Sequence, residues 1–226
     1  MKKLLSWNVN GIRAVAKKGF TDWLANSGAD LVSLQETKVS PDTLLGEELL
    51  RPTGYTTYWD YATEKKGYSG VACFCRDTFL PQRVTTKFTA PVLSHEGRLL
   101  QLDYPEFIFF NVYFPNGGAS PERLRYKLKF YEAFLDYLNQ LKKSGQKNII
   151  FCGDVNTAHR EIDLARPKEN INHSGFMPIE RAWLDKFVAT GFVDTFRLFN
   201  QGGGEYSWWD QKTYARERNV GWRIDY

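Results

Sequence analysis

The stretch Asn148-Ile149-Ile150-Phe151-Cys152-Gly153-Asp154-Val155-Asn156 constrains this chain more than any other. A short apolar run that stops at a glycine reads as a buried strand, and the polar residues after it emerge at the rim of a sheet. Asp154 and Asn156 are therefore presented to a ligand, not packed. A carboxylate and an amide two residues apart have the oxygens to share a cation, or to hold and deprotonate a water. A polar turn would explain one such copy equally well, but the design recurs. Lys3 to Val9 is a strand closed by Asn8-Val9-Asn10-Gly11, and Asp30 to Leu34 is a strand closed by Gln35-Glu36-Thr37-Lys38. Strands separated by one helix tend to bring their ends to one rim. Asn8, Glu36 and Asp154 are thus expected to converge on a hollow that seats a divalent ion.

A chain of 226 residues, 42% of them hydrophobic, buries a substantial core, most simply as one domain over 1–226, with two small domains as the alternative. The net charge of +4 is too small to announce a polyanion partner by itself, so a nucleic-acid surface would need local clusters of Lys and Arg. Met1-Lys2-Lys3 leads into no apolar stretch long enough for a signal peptide or a membrane span, which predicts a cytoplasmic protein without a membrane partner. The three cysteines, Cys73, Cys75 and Cys152, lie in strand-like runs. An odd number so placed suits reduced core thiols, with Cys73 and Cys75 on one strand face, better than disulfides or zinc.

The rest of the chain reads as alternating β and α. Ile12 to Ser27, with Val15, Phe20, Trp23 and Leu24, suits a helix stopped by Gly28. Tyr55 to Tyr61, Gly70 to Arg76, Gln82 to Phe88, Arg98 to Tyr104 and Phe107 to Tyr113 are short aromatic or β-branched runs whose spacing suits a two-sheet sandwich. Tyr113-Phe114-Pro115-Asn116-Gly117-Gly118 closes the last with a phenol, an amide and glycines; it is either a phosphate-approaching loop or a plain hairpin turn. Ser120-Pro121 starts a helix to Lys142 and Lys143, with Leu124, Leu128, Tyr131, Leu135 and Leu138 as its stripe and its Arg and Lys residues mostly on a solvated face. Arg123 and Arg125 lie nearest the Asn116 loop. Ala158 to Gly175, polar and rich in Asn and His, reads as a surface binding loop. A helix from Pro178 to Thr190 follows, with Trp183, Leu184, Phe187 and Val188 inward. Trp208, Trp209 and Trp222, near Arg218 and Arg223, are either core or the walls of a pocket for a sugar or base.

Together these segments carry a resemblance. Leu5-Ser6-Trp7-Asn8-Val9-Asn10-Gly11-Ile12-Arg13, Leu34-Gln35-Glu36-Thr37-Lys38, Gly67-Tyr68-Ser69-Gly70-Val71, Asn111-Val112-Tyr113-Phe114-Pro115-Asn116, Gly153-Asp154-Val155-Asn156, Ser174-Gly175-Phe176 and Gly221-Trp222-Arg223-Ile224-Asp225-Tyr226 follow one another in order. They resemble the successive signatures of the exonuclease III family of abasic-site endonucleases, within the endonuclease/exonuclease/phosphatase superfamily. The resemblance implies a four-layer α/β sandwich, two packed mixed β-sheets flanked by helices, here without its C-terminal strands. It also implies a monomeric phosphodiesterase dependent on Mg²⁺, with Mn²⁺ as an alternative. The substrate would be double-stranded DNA, cut 5′ to abasic sites or trimmed at 3′ ends.

Carried over by position, the resemblance makes Glu36 the principal metal ligand with Asn8 and Asn10 beside it, Asp154 and Asn156 completing the set. Asp154 would also deprotonate the attacking water, which Asn156 would hold. Tyr113 would sit at the scissile phosphate, Arg98, Asn116 and Asn170 would face the DNA, and Trp208 and Trp222 would take the flipped-out sugar. Relatives often have Asp where this chain has Asn10, and Asn where it has His173. Family members continue past Asp225 into a Ser-Asp-His signature whose histidine that aspartate orients; His95, His159 and His173 lie in other motifs. The isolated chain is therefore expected to be truncated and impaired. Competing readings are a phosphatase or sphingomyelinase on the same scaffold, and a DNA-binding module without catalysis; the tryptophans and the Gly67 to Val71 run favour DNA.

Overall fold

The computed structural model describes residues 1–43, 45–86, 95–146 and 148–226. The chain divides into two compact units, one made of Met1–Tyr113 with Asp136–Gly153, the other of Phe114–Leu135 with Asp154–Tyr226.

The first unit holds β1 (Leu4–Asn8), α1 (Ile12–Ala16), α2 (Phe20–Asn26), β2 (Leu31–Gln35), α3 (Glu47–Leu50), β3 (Tyr55–Asp60), β4 (Val71–Arg76), β5 (Arg83–Thr85), β6 (Leu99–Asp103) and β7 (Ile108–Tyr113). It also takes the end of α4 (Pro121–Lys143) and all but the last residue of β8 (Ile149–Asp154). One sheet has the order β1-β2-β4-β3, with β1 parallel to β2 and the other pairs antiparallel. The other has the order β5-β6-β7-β8, antiparallel from β5 to β7. Alternation along β2 and β4 builds two cores at once. Val32, Leu34, Ala72 and Phe74 pack against Ile12, Phe20 and Leu24 of the helices. Leu31, Val71, Cys73 and Cys75 point the other way, onto Leu100, Leu102 and Phe109 of the second sheet. Both strands are buried on both faces, and the polar residues of β2, Ser33 and Gln35, are buried with the rest. Beyond the second sheet, Tyr137 of α4 meets Phe110 edge-on at 6.1 Å and donates its hydroxyl to Gln101 Oε1 at 2.5 Å. The layers are thus helix, sheet, sheet, helix: the expected α/β sandwich of two mixed sheets flanked by helices.

Three local expectations change. The segment Ile12 to Ser27 is two short helices, because Gly19 enters α2 in a left-handed conformation (φ +89°) and breaks the first. Trp23 consequently lies at the surface, edge-on to Trp7 at 5.3 Å. The strand expected over Gln82 to Phe88 is confined to Arg83–Thr85, and Lys87 and Phe88 lie outside the described residues.

The second unit is centred on Phe114, whose ring is met by Phe130 (5.2 Å), Tyr131 (5.6 Å), Phe134 (5.3 Å) and Trp183 (5.8 Å). Trp183 belongs to α6 (Pro178–Ala189), which follows α5 (Pro167–Asn170). The inward stripe of α6 is Glu180, Trp183, Leu184 and Phe187, and Val188, expected inside, is exposed. After α7 (Thr195–Phe199), β9 (Trp208–Trp209) pairs antiparallel with β10 (Gly221–Trp222). Ala158 to Gly175 is not a free loop: Ala158, His159, Asp163, Leu164 and Gly175 are buried, and a 3₁₀ turn and α5 occupy it. Nor does Arg223 wall a pocket. It is buried, forked onto Asp194 at 2.7 and 2.8 Å and bonded to Asp163 at 3.2 Å. Among the described residues no helix is long and apolar enough to cross a membrane.

Candidate active site

The two Asn/Asp-Val-Asn motifs fold alike. In the first unit β1 ends at Asn8, whose Oδ1 accepts from Asn10 N at 3.0 Å. In the second, β8 ends at Asp154, whose Oδ1 accepts from Asn156 N at 2.7 Å. Each is an Asx turn, in which a short polar side chain bonds the backbone two residues on. In each the middle valine is buried and the final asparagine is left-handed, at φ +47° for Asn10 and +54° for Asn156. Glu36, Lys38 and Ser69 are left-handed too. A non-glycine residue costs about 1–3 kcal/mol in sparsely populated backbone regions, and such residues gather at functional sites. Among the described residues five of the seven fall on the motifs singled out in the sequence; the other two, Tyr214 and Asn219, flank a 3₁₀ turn.

In the first unit, Asn8 Nδ2 donates to Glu36 Oε1 at 2.9 Å, so two of the three expected partners do meet. The Asx turn fixes the amide: its oxygen must take the Asn10 N–H, which leaves the nitrogen toward Glu36. Asn8 as placed orients the Glu36 carboxylate through its amide nitrogen, and its oxygen, which takes the Asn10 N–H, has a second lone pair. Lys38 Nζ lies 3.0 Å from Glu36 Oε2 and also donates to Asn10 Oδ1. Two hard oxygens, one carboxylate and one amide, thus converge on a single positive charge. Among the described residues no three His, Cys, Asp or Glu side chains gather as a metal cage. The donors on hand suit a magnesium-type ion that retains most of its waters. The strand leading to Glu36 is held from inside the sandwich, where the buried Gln35 Nε2 donates to Asn111 Oδ1 at 2.7 Å. Asn111 Nδ2 in turn donates to the Leu34 and Ala72 carbonyls at 3.1 and 2.9 Å.

Tyr113 and Arg98 form a separate stack in the same unit. The Arg98 guanidinium lies 4.5 Å from the Tyr113 ring centroid and donates to the Tyr113 carbonyl (3.0 Å), Glu96 Oε2 (2.7 Å) and Tyr68 hydroxyl (3.1 Å). It is 2% exposed, so it buttresses Tyr113 from below and is not at a surface where DNA would meet it. Gly153 sets the end of β8: a Cβ there would lie 2.0 Å from the Val112 carbonyl oxygen, and its φ is +137°.

In the second unit, Asn156 Nδ2 donates to the Phe114 carbonyl at 3.0 Å, and its Oδ1 accepts from Asn116 Nδ2 at 3.0 Å. The Asn156 carbonyl accepts from Lys127 Nζ at 2.7 Å. Lys127 also bonds Thr157 Oγ1 at 2.8 Å and Glu180 Oε1 at 2.6 Å, and both charged side chains are fully buried. Glu180 further accepts from Ser174 Oγ (2.9 Å), Gly175 N (2.6 Å) and Met177 N (3.1 Å). Burial draws the Lys127 ammonium below the ordinary lysine pKa, against the pull of Glu180. Read from the sequence, the basic residues of this helix lie mostly on a solvated face, and Lys127 is not singled out. The available signal was its register, since Lys127 precedes Phe130, Tyr131 and Phe134 at the spacing of a buried stripe.

Trp208 and Trp222 face each other across β9 and β10, T-shaped at 6.5 Å, and Trp222 meets Phe176 at 6.4 Å. Trp208 keeps 45% of its surface exposed, and the corner is open on that side. Asp225 bridges Asp154 through the backbone, and its N–H donates to Ser207 Oγ at 3.1 Å. Asn170 sits at the end of α5, its amide nitrogen donating to the Arg166 carbonyl at 2.8 Å.

Residues 5–226 match the model of the Endonuclease/Exonuclease/phosphatase family. An exodeoxyribonuclease of Bacillus subtilis is 43% identical over 226 residues, covering 99% of this chain and 86% of that protein. The structure of an AP endonuclease from Archaeoglobus fulgidus aligns with a TM-score of 0.85 at 29% identity, covering 100% of this chain and 85% of that one. A 3′ phosphatase from Neisseria bound to a product DNA hairpin aligns with a TM-score of 0.88 at 25% identity, again over 100% and 85%.

Proposed function

Because the chain belongs to the Endonuclease/Exonuclease/phosphatase family, we propose that it is a DNA-repair hydrolase. In this reading it acts as a cytoplasmic monomer that cuts duplex DNA 5′ to abasic sites and removes nucleotides or blocking groups from 3′ ends. The observation that most supports the reading is the matched pair of strained strand-end turns, one holding Glu36 through Asn8 and the other holding Asp154, which is buried at 3% exposure and not presented as the sequence led one to expect. Hydrolysis of a phosphodiester needs a deprotonated water in line with the leaving oxygen and a cation against the charge that develops there.

Glu36 and Asn10 would hold Mg²⁺, which when bound neutralises charge on the phosphoryl oxygens. Asp154 takes the proton from the attacking water. Asn156, clamped through its side chain and its carbonyl, keeps that water oriented. The Tyr113 phenol donates to the scissile phosphate, with Arg98 stacked beneath it to fix the ring. Asn116 and Asn170 contact the DNA backbone. The Trp208 and Trp222 corner receives the base-free sugar, which leaves the helical stack at little cost and fits where a complete nucleotide does not. The test is cleavage of an abasic duplex against an intact one in Mg²⁺. Asp154→Asn should lower turnover by about 10²–10⁴-fold, and Trp222→Ala should erase the preference for the abasic strand. Full activity in Asp154→Asn would refute the assignment.

A further inference from the structure

We infer that Lys38 is a resident counter-ion of the Glu36 and Asn10 oxygens, and that a divalent metal binds by exchanging with its ammonium. The inference rests on the reading of Glu36 as the metal-holding carboxylate.

Lys38 Nζ stands 3.0 Å from Glu36 Oε2 and donates to Asn10 Oδ1, so it occupies the two oxygens best suited to a cation. The frame around them is fixed. Gly11 N donates to the Glu36 carbonyl at 2.7 Å, Ile12 N to Thr37 O at 3.0 Å, and Lys38 N to Ser69 O at 2.8 Å. Asn10, Glu36 and Lys38 are all held at left-handed φ, near +50° in each case (47°, 53° and 54°). With the backbone locked and the carboxylate tied by Asn8, the movable part is the four-carbon stem of Lys38. Its side chain is 36% exposed, so the ammonium can swing into water without opening the fold. A dication on the same oxygens would repel an ammonium left in place, so the two cannot share them. Lys38 therefore keeps the carboxylate neutralised until metal arrives, and its release sets the metal concentration at which the protein loads.

Two measurements on the DNA-free protein test this. Mg²⁺ binding is measured by calorimetry in the wild type, Lys38→Gln and Glu36→Gln. Acylation of the Lys38 amine is followed by mass spectrometry in the wild type with and without Mg²⁺, with the exposed Lys66 as internal control. Exchange predicts loss of binding in Glu36→Gln, binding about two- to fivefold tighter in Lys38→Gln, and a rise in Lys38 acylation on adding Mg²⁺ while Lys66 stays constant. Glu36-dependent binding without that rise, or without tightening in Lys38→Gln, overturns the exchange and leaves the metal reading intact. Binding indifferent to Glu36→Gln overturns both. The acylation arm uses the wild-type chain and does not depend on a variant folding.

Discussion

Lys38 with Glu36 and Lys127 with Glu180 are the same chemical pair at nearly the same distance, 3.0 and 2.6 Å, beside two turns of the same design. They differ in burial: 36% and 20% of the first pair's side chains is exposed, against none of the second. Water competes for every contact of the first, so it is loosely held and contributes little to stability. The second has lost its water entirely, and its protons and lone pairs are instead spoken for by Thr157, the Asn156 carbonyl, Ser174, Gly175 and Met177. Such a pair cannot exchange anything without breaking the fold. Burial, and not separation, decides which ion pair is a frame and which is a working part.

The largest effect should come from Lys127→Met, which strands the Glu180 charge and should lower unfolding free energy by about 3–5 kcal/mol, read by urea denaturation. Replacing both residues, Lys127→Met with Glu180→Leu, should recover a good part of that while turnover stays low, because the Asn156 carbonyl is no longer held. Recovery of both, or of neither, would break the comparison. Next is Glu36→Gln, expected to leave stability within about 0.5 kcal/mol and to reduce Mg²⁺-dependent cleavage by about 10²-fold or more. Third, raising salt from 0.1 to 1 M shortens screening from about 10 to about 3 Å. The small stability change in Lys38→Gln should then vanish in thermal melts, whereas that of Lys127→Met should persist.

The smallest effect extends the series to a pair fully in water. Asp42 is held at about 2, chiefly by its hydrogen bond from Lys66 and also by that from Ser40. A depressed carboxylate pKa stabilises above the ordinary carboxylate value and ceases to do so as pH falls toward 2. In Lys66→Ala, NMR titration should show the Asp42 midpoint rising toward the ordinary value, and the melting temperature at pH 7 should fall only slightly, in step with that rise. A drop as large as that of Lys127→Met would mean that exposure is a poor guide to what a pair contributes.

The parts legible in the sequence were those whose physics is local. A strand, a glycine and an Asx turn lie within a few residues of one another, so the ends of β1 and β8 and the polar groups on them could be read directly. Cys73 and Cys75 share a face because strand periodicity requires it. Lys127 was missed because its partner Glu180 is 53 residues away, and a lone lysine in a helix is ordinarily solvated. Arg98 was misread for the same reason: Tyr68 and Tyr113, which help enclose it, come from separate stretches, and only Glu96 lies nearby in the chain. The Gln35 and Asn111 bond joins residues 76 apart and has no local mark at all. The break at Gly19 was visible in principle, but the apolar spacing across it was regular enough to hide it.

Gly153 carries a warning for anyone mapping this protein by random mutagenesis. Any residue larger than hydrogen would collide with the Val112 carbonyl, so position 153 should score as intolerant as the acid that follows it. A fitness screen would rank the two together and invite a chemical role for a residue that has no functional group. Paired measurement of soluble yield and cleavage separates them: variants at 153 disappear from the soluble fraction, and variants at 154 accumulate there as intact, silent protein.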